Sequence, residues 1–293
     1  MQSTQAGILA DVPKMARFLS FSIDSSDDIA DALKALVDIC DPAETVIGIG
    51  KSLVDSLNKN IPGLQIFPAL SASGIDIPST PCALWLWLRG NDAGELFHRS
   101  RHIENAIAPA FTLNDVVDSF MYGDSRDLSG YIDGTENPEG DEAIKAAIVN
   151  NMGAGFDGGS FVAVQQWLHD FDLFDTMNPH EQDDVFGRHI ADNEEFDEAP
   201  VSAHVKRTAQ ESFTPEAFML RRSMPWKEGM SAGLMFIAFG KSFDAYDAIL
   251  KRMIGLEDGI TDALFEFTHP VSGTYFWCPP IKDSKVDMSA LGI

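Results

Sequence analysis

No apolar run in this chain is longer than a β-strand, and such runs alternate with helically patterned stretches in the same order twice. That repetition restricts the fold more than any single motif does. In the first half, residues 16–23 (ARFLSFSI) read as a strand. A helix follows over 27–41, with Ile29, Leu33, Leu36 and Cys40 on one face and capping groups and acids in its SSDD start. Residues 45–49 predict a strand, 52–58 a short helix, 83–88 a buried strand, 92–108 a helix and 111–122 a strand. The second half repeats this βαββαβ order loosely. Residues 160–169 predict a strand, a helix lies between 175 and 188, and 219–222 and 232–239 predict strands. An amphipathic helix over 242–254 carries Phe243, Tyr246, Ile249, Leu250 and Met253, and a shorter helix covers about 259–267. The expectation is a duplicated α+β fold with antiparallel sheets packed together. The polar stretch GDSRDLSG (123–130) marks the break between domains 1–124 and 125–293.

The chain's 45 Asp and Glu outweigh 21 Lys and Arg, a formal net charge of −24 over 293 residues. A surface this negative repels phosphate backbones and anionic lipids. It argues against nucleic-acid and membrane partners and leaves small neutral, cationic or peroxide-like molecules. Cys40, Cys82 and Cys278 are odd in number and far apart, so no disulfide framework is implied. No CxxC pair suits structural zinc, and no CxxCH suits covalent haem attachment. The start, MQSTQAGILADVPKMARFL, lacks the basic and apolar regions of a secretory signal, and no run approaches the roughly 20 residues of a bilayer span. A reducing cytoplasm is the expected compartment.

Local patterns are ambiguous one at a time. His98 and His102 lie four apart in HRSRH, the spacing of a two-histidine zinc site, but the general-base glutamate is missing and a solvated helix face accounts for them. The densest turn signal is GYIDGTENP (130–138). It sets Asp133 at the end of a tight loop, where a carboxylate can point into a cavity as acid or base, although a D-G pair alone is usually only a turn. Asp133 with Glu136 as a hydrolytic pair carries little weight, because 45 acids produce close pairs by chance. A lone His204 in SAHVKR is more often structural than a ligand. Arg221 and Arg222 in MLRRSMPW are unusual, since a guanidinium at the edge of an apolar strand needs partners or an anionic ligand; surface salt bridges are the plain alternative.

Taken together and in this order, GYIDGTENP, AHVKR and LRRSMP resemble the dye-decolorizing peroxidase family of haem proteins. Phe186-Gly187-Arg188, LFEF (264–267) and GTYF (273–276) extend the resemblance over nearly the whole chain. The GxxDG element, Gly130 to Gly134, is its most specific part. Length and start resemble the shorter, cytoplasmic bacterial members. The resemblance implies two ferredoxin-like domains of the dimeric α+β barrel type, in agreement with the two halves read above.

It also implies roles. His204 is the proximal ligand of the haem iron, with Asp262 in TDAL as its acidic partner and Glu266 in reserve; His189 is a rival ligand only if the resemblance is misaligned. Asp133 and Arg221 stand on the distal face, with Arg221 close enough to keep Asp133 ionised. Ser223 occupies a distal position that varies in the family and donates more weakly than an asparagine would. Arg188 pairs with a haem propionate, ahead of Arg207 and Lys206. Leu234, Phe236 and Phe239 fit the pocket lining by alternation along GLMFIAF, and fit an ordinary core equally well. The cofactor is haem b, held non-covalently. Hydrogen peroxide is reduced through a ferryl state, which dyes, phenols or other small one-electron donors return to ferric. Trp167, Trp226, Tyr131, Tyr246 and Tyr275 are chemically able to relay electrons to bulky donors. The competing reading is a haem-handling protein that stores or carries haem or extracts its iron; it has no need of Asp133 and Arg221 together. Family members often form homo-oligomers, dimers or larger rings. Some are packaged in nanocompartments through a C-terminal tail, but the short IKDSKVDMSALGI after Pro280 carries no argument for that.

Overall fold

Eight strands carry the architecture of the computed structural model, which describes residues 3–293. The first half supplies β1 (Met15–Ile23), α1 (Ile29–Ile39), β2 (Thr45–Gly50), β3 (Leu84–Gly90), α2 (Ala93–Ile107) and β4 (Phe111–Phe120). The second supplies β5 (Ser160–His169), α3 (Pro179–Phe186), α4 (His204–Thr208), β6 (Met224–Glu228), β7 (Ser231–Gly240), α5 (Asp244–Met253) and β8 (Thr274–Cys278). The strand order is β4-β1-β3-β2 in one half and β6-β7-β5-β8 in the other, all antiparallel. Ser119 pairs with Trp226, joining β4 to β6, and Phe276 and Trp277 pair with Gly50 and Ile49, joining β8 to β2. The sheet therefore closes into a barrel, which removes the exposed edges that open sheets must protect.

Closure explains why LWLWL is apolar throughout. Along β3, Leu84, Leu86 and Leu88 face outward into the core beneath the helices, while Trp85 and Trp87 fill the barrel. Both faces are buried, so the run cannot alternate with polar residues. Inside, rings stack in the sequence Phe276, Trp85, Phe18, Trp87, Phe239, with centroids 5.7, 6.0, 6.0 and 6.2 Å apart. Such pairs add about 0.5–1.5 kcal/mol each beyond the area they bury.

Strand parity corrects one expected pocket residue. On β7, Leu234 and Phe236 face outward, whereas Phe239 is one residue out of phase and lies against Trp87 inside the barrel. Phe239 is therefore core. The predicted strand over 219–222 is the start of a longer strand. Leu220 and Arg221 pair with Phe239 and Ala238, and β6 continues in the same register along β7. Pro225 hid β6 from a pattern reading, because it lacks the N–H that a ladder needs. The helix Gly140–Ala147 went unpredicted beside the glycine-rich turn.

Candidate active site

Between the outward face of β5 and β7 and the helices α4 and α5 lies a cavity of about 550 Å³. His204, Asp133, Arg221, Arg188, Leu234 and Phe236 all line it, although they come from five separate stretches of chain. Among the described residues no group of histidine, cysteine and carboxylate side chains is arranged to hold a bare metal ion. No helix there is long and apolar enough to cross a membrane. His98 and His102 are exposed on α2, as expected of a solvated face.

His204 opens the five-residue helix α4. Its Nδ1 lies 2.7 Å from Oδ2 of Asp262, which is 1% exposed. The other oxygen of Asp262 accepts the Leu264 N–H at 2.9 Å, capping the 3-10 turn Ala263–Glu266. A carboxylate acceptor holds the proton on Nδ1 and presents Nε2 as a neutral donor of an electron pair. Glu266 is exposed and is not the partner. His189 is bound to Asp183 at 2.9 Å and does not line the cavity.

Arg207 anchors α4 from behind. It donates to both oxygens of Asp258 at 2.8 Å and to the Arg252 carbonyl, so it is a brace and does not face the cavity. The hydrogen bond from Arg207 lowers the Asp258 carboxyl from its ordinary 3.8 to about 2. A depressed carboxylate stabilises the fold above its unfolded pKa and loses that effect as pH falls through the folded value. Asp258→Asn is therefore expected to melt earlier than the parent at neutral pH, with the gap closing between about pH 4 and pH 2. Thermal melts across that window check it; a gap independent of pH would contradict the assignment.

Arg188 lines the cavity, but carboxylates already engage it. It donates to Glu136 at 3.0 Å, to Glu195 at 2.5 Å and to the Asn193 carbonyl at 2.8 Å. A propionate arriving there would meet two negative groups, which weighs against the expected role. Lys206, exposed at the cavity wall, makes no ion pair among the described residues and is the better-placed cation.

Arg221, also lining the cavity, is held by its backbone. Its N–H donates to Asn137 Oδ1 at 2.8 Å, and its carbonyl accepts from Asn137 Nδ2 at 3.0 Å. Its side-chain Nε is buried with no partner. Among the described residues no ion pair joins Arg221 to Asp133. Asp133 enters the cavity from the turn at Gly134, whose φ of +79° suits glycine. Ser223 shares Arg221's strand face by register but does not line the cavity. Its hydroxyl oxygen turns back to accept the Ile237 N–H at 3.4 Å.

Three features went unseen in the sequence. Gln165, 1% exposed, accepts from Tyr246 at 2.5 Å and from Trp167 at 3.3 Å, leaving its buried Nε2 unpartnered at the cavity. Asp127 and His169 form a buried pair at 3.0 Å on the same wall. Burial alone would raise the Asp127 carboxyl, but His169 and the Ser129 N–H pull it below its ordinary value. The third is the Asn137 clamp. Of the aromatic relay candidates, Trp167, Tyr131 and Tyr246 line the cavity, Tyr275 packs behind Tyr246 at 5.8 Å, and Trp226 sits inside the barrel.

A histidine backed by a buried carboxylate, and an arginine whose buried Nε has no partner, lining one largely apolar cavity, suit a flat apolar group with a metal at its centre. The profile of the family described as "Dyp-type peroxidase, C-terminal" matches residues 124–283. The dye-decolorizing peroxidase of Rhodococcus erythropolis is 31% identical over 291 residues, covering 93% of this chain and 85% of that protein. The chain belongs to the Dyp-type peroxidase family. It is a haem-binding peroxidase, an oxidoreductase. The dye-decolorizing protein of V. cholerae superposes with a TM-score of 0.86 at 27% identity, over 100% of this chain and 99% of that one. A DypB variant of Rhodococcus jostii RHA1, solved in complex with heme, gives 0.83 at 30% identity, over 93% and 94%. Membership in the Dyp-type family accounts for the closed α+β barrel as well as for the motifs.

Proposed function

We propose that this chain binds haem b non-covalently in the cavity and reduces hydrogen peroxide at the expense of small one-electron donors. The observation that carries this reading is the presence of the His204–Asp262 pair and the unpartnered Arg221 Nε in one cavity. The residues present fit the cofactor. No cysteine lines the cavity to form a thioether link, which supports non-covalent attachment. Leu234, Phe236, Ile249 and Met253 offer apolar contact, and Lys206 offers a cation to a carboxylate at the rim.

Bound haem supplies the redox chemistry, taking two electrons' worth of oxidising power from peroxide and returning it in single-electron steps. His204 offers Nε2 to the iron while Asp262 holds the ring and increases its basicity. Asp133 takes the proton from one peroxide oxygen and delivers it to the other, directly or through water. Arg221 places positive charge where negative charge grows as the O–O bond breaks, in a site drier than bulk water. The net charge of −24 favours neutral or cationic donors over anionic ones. Each half's strand order supports reading the barrel as two ferredoxin-like units, and the family profile's start at residue 124 supports a division there.

The visible spectrum of haem-reconstituted protein tests the reading. A strong Soret band that converts rapidly with one equivalent of peroxide is expected. Slow bleaching without conversion would overturn peroxidase function in favour of haem handling.

A further inference from the structure

We propose that Asn137 is a positioning residue that fixes the Arg221 guanidinium relative to the Asp133 carboxylate; this rests on the distal roles given to those two groups above. Arg221 lies on an edge strand. Its neighbour on one side is Ala238 of β7. On the other side no strand runs, and the Asn137 side chain stands in for one, donating to the Arg221 carbonyl and accepting from its N–H. A two-point contact fixes rotation of the peptide units as well as their distance, and so the direction in which the side chain leaves the strand.

The same asparagine is tied to the Asp133 loop. Its own N–H donates to the Gly134 carbonyl at 3.0 Å, closing the turn directly after Asp133. A Cβ on Gly134 would meet Asn137 Nδ2 at 2.7 Å, so only glycine leaves room for the amide to reach across. A second amide repeats the arrangement. Gln210, 5% exposed, donates to the Glu136 carbonyl at 2.9 Å and accepts from the Met219 N–H at 3.0 Å. Gln210 follows α4, so the braces connect the segment bearing His204 with both distal segments. Asp133 and Arg221 make no direct ion pair, and their relative placement is therefore carried by this backbone contact and not by mutual attraction. Neither amide touches the reacting atoms.

Fluoride binding to the ferric haem-reconstituted protein reads the arrangement without turnover, since a small anion on the iron accepts hydrogen bonds from the distal donors. Asn137→Ala should keep the haem content and Soret position of the parent, because His204 is untouched. It should weaken fluoride about 10- to 100-fold, the scale of a displacement near 1 Å. Arg221→Leu should weaken fluoride comparably, and the double variant should be little worse than Arg221→Leu alone, because both changes remove one function. Asn137→Asp keeps the acceptor for the Arg221 N–H and loses the donor to its carbonyl, so it should fall between parent and Asn137→Ala. If Asn137→Ala does not fold, Asn137→Asp decides. An unchanged fluoride affinity in the folded Asn137 variant, or fully additive losses with Arg221→Leu, overturns the proposal while leaving the distal reading in place. Insensitivity of Arg221→Leu itself removes the distal reading and the proposal with it.

Discussion

Replacing His204 by alanine is expected to strip most of the haem from the protein while leaving the barrel folded. His204 is the only histidine of the cavity with a ring nitrogen left over: His169 is engaged at both nitrogens, by Asp127 at 3.0 Å and Thr268 at 2.6 Å. The helix that carries His204 is anchored independently, through Arg207 and Asp258, so loss of the imidazole does not release it. Haem content and Soret intensity after reconstitution measure the result. A graded version is available in Asp262→Asn, which keeps the shape and removes the charge behind Nδ1; such outer partners typically contribute about 10- to 100-fold to affinity or activity at metal centres. Normal haem content with an unaltered spectrum in His204→Ala would place the ligand elsewhere.

The second large effect is expected from Asp133→Asn combined with Arg221→Leu. Neither change removes His204 or its Asp262 partner, so haem should bind at close to the parental level. The reaction with peroxide should slow by at least about 10³-fold, because a positioned proton carrier contributes roughly 10²–10⁴ and a preorganised donor about 10²–10³. The two groups serve one step, so the double variant should fall short of the product of the single effects. Stopped-flow recording of the Soret change after mixing with peroxide gives the rate. A double variant as fast as the parent would show that the distal chemistry belongs to other residues. Gln165, with its buried unpartnered amide at the cavity, would be the next to test.

These expectations draw unequally on sequence and structure. Asp262 was legible only through the family resemblance of TDAL, and the structure finds it against His204. Arg188 shows the reverse. Its residue type suits a propionate, but Glu195, seven residues on, folds back to it and Glu136 reaches it from a distant segment, and neither contact is written in a local motif. Ser223 had the right strand parity, yet a short hydroxyl prefers the nearby Ile237 N–H to the cavity. Phe239 failed on parity alone.

By itself the sequence determined the alternation of strands and helices, the positions of the special loop residues and the family resemblance. Those depend on local periodicity and turn chemistry, which act over a few residues at a time. Only the tertiary structure decided the closure of the barrel, since Ser119 with Trp226 and Phe276 with Gly50 pair across 107 and 226 residues of chain. It also decided which charged groups are already neutralised and which buried donors remain free. Side-chain amides such as Asn137 and Gln210 bond to whatever backbone the fold brings near, and that neighbour is set by packing between segments far apart in sequence.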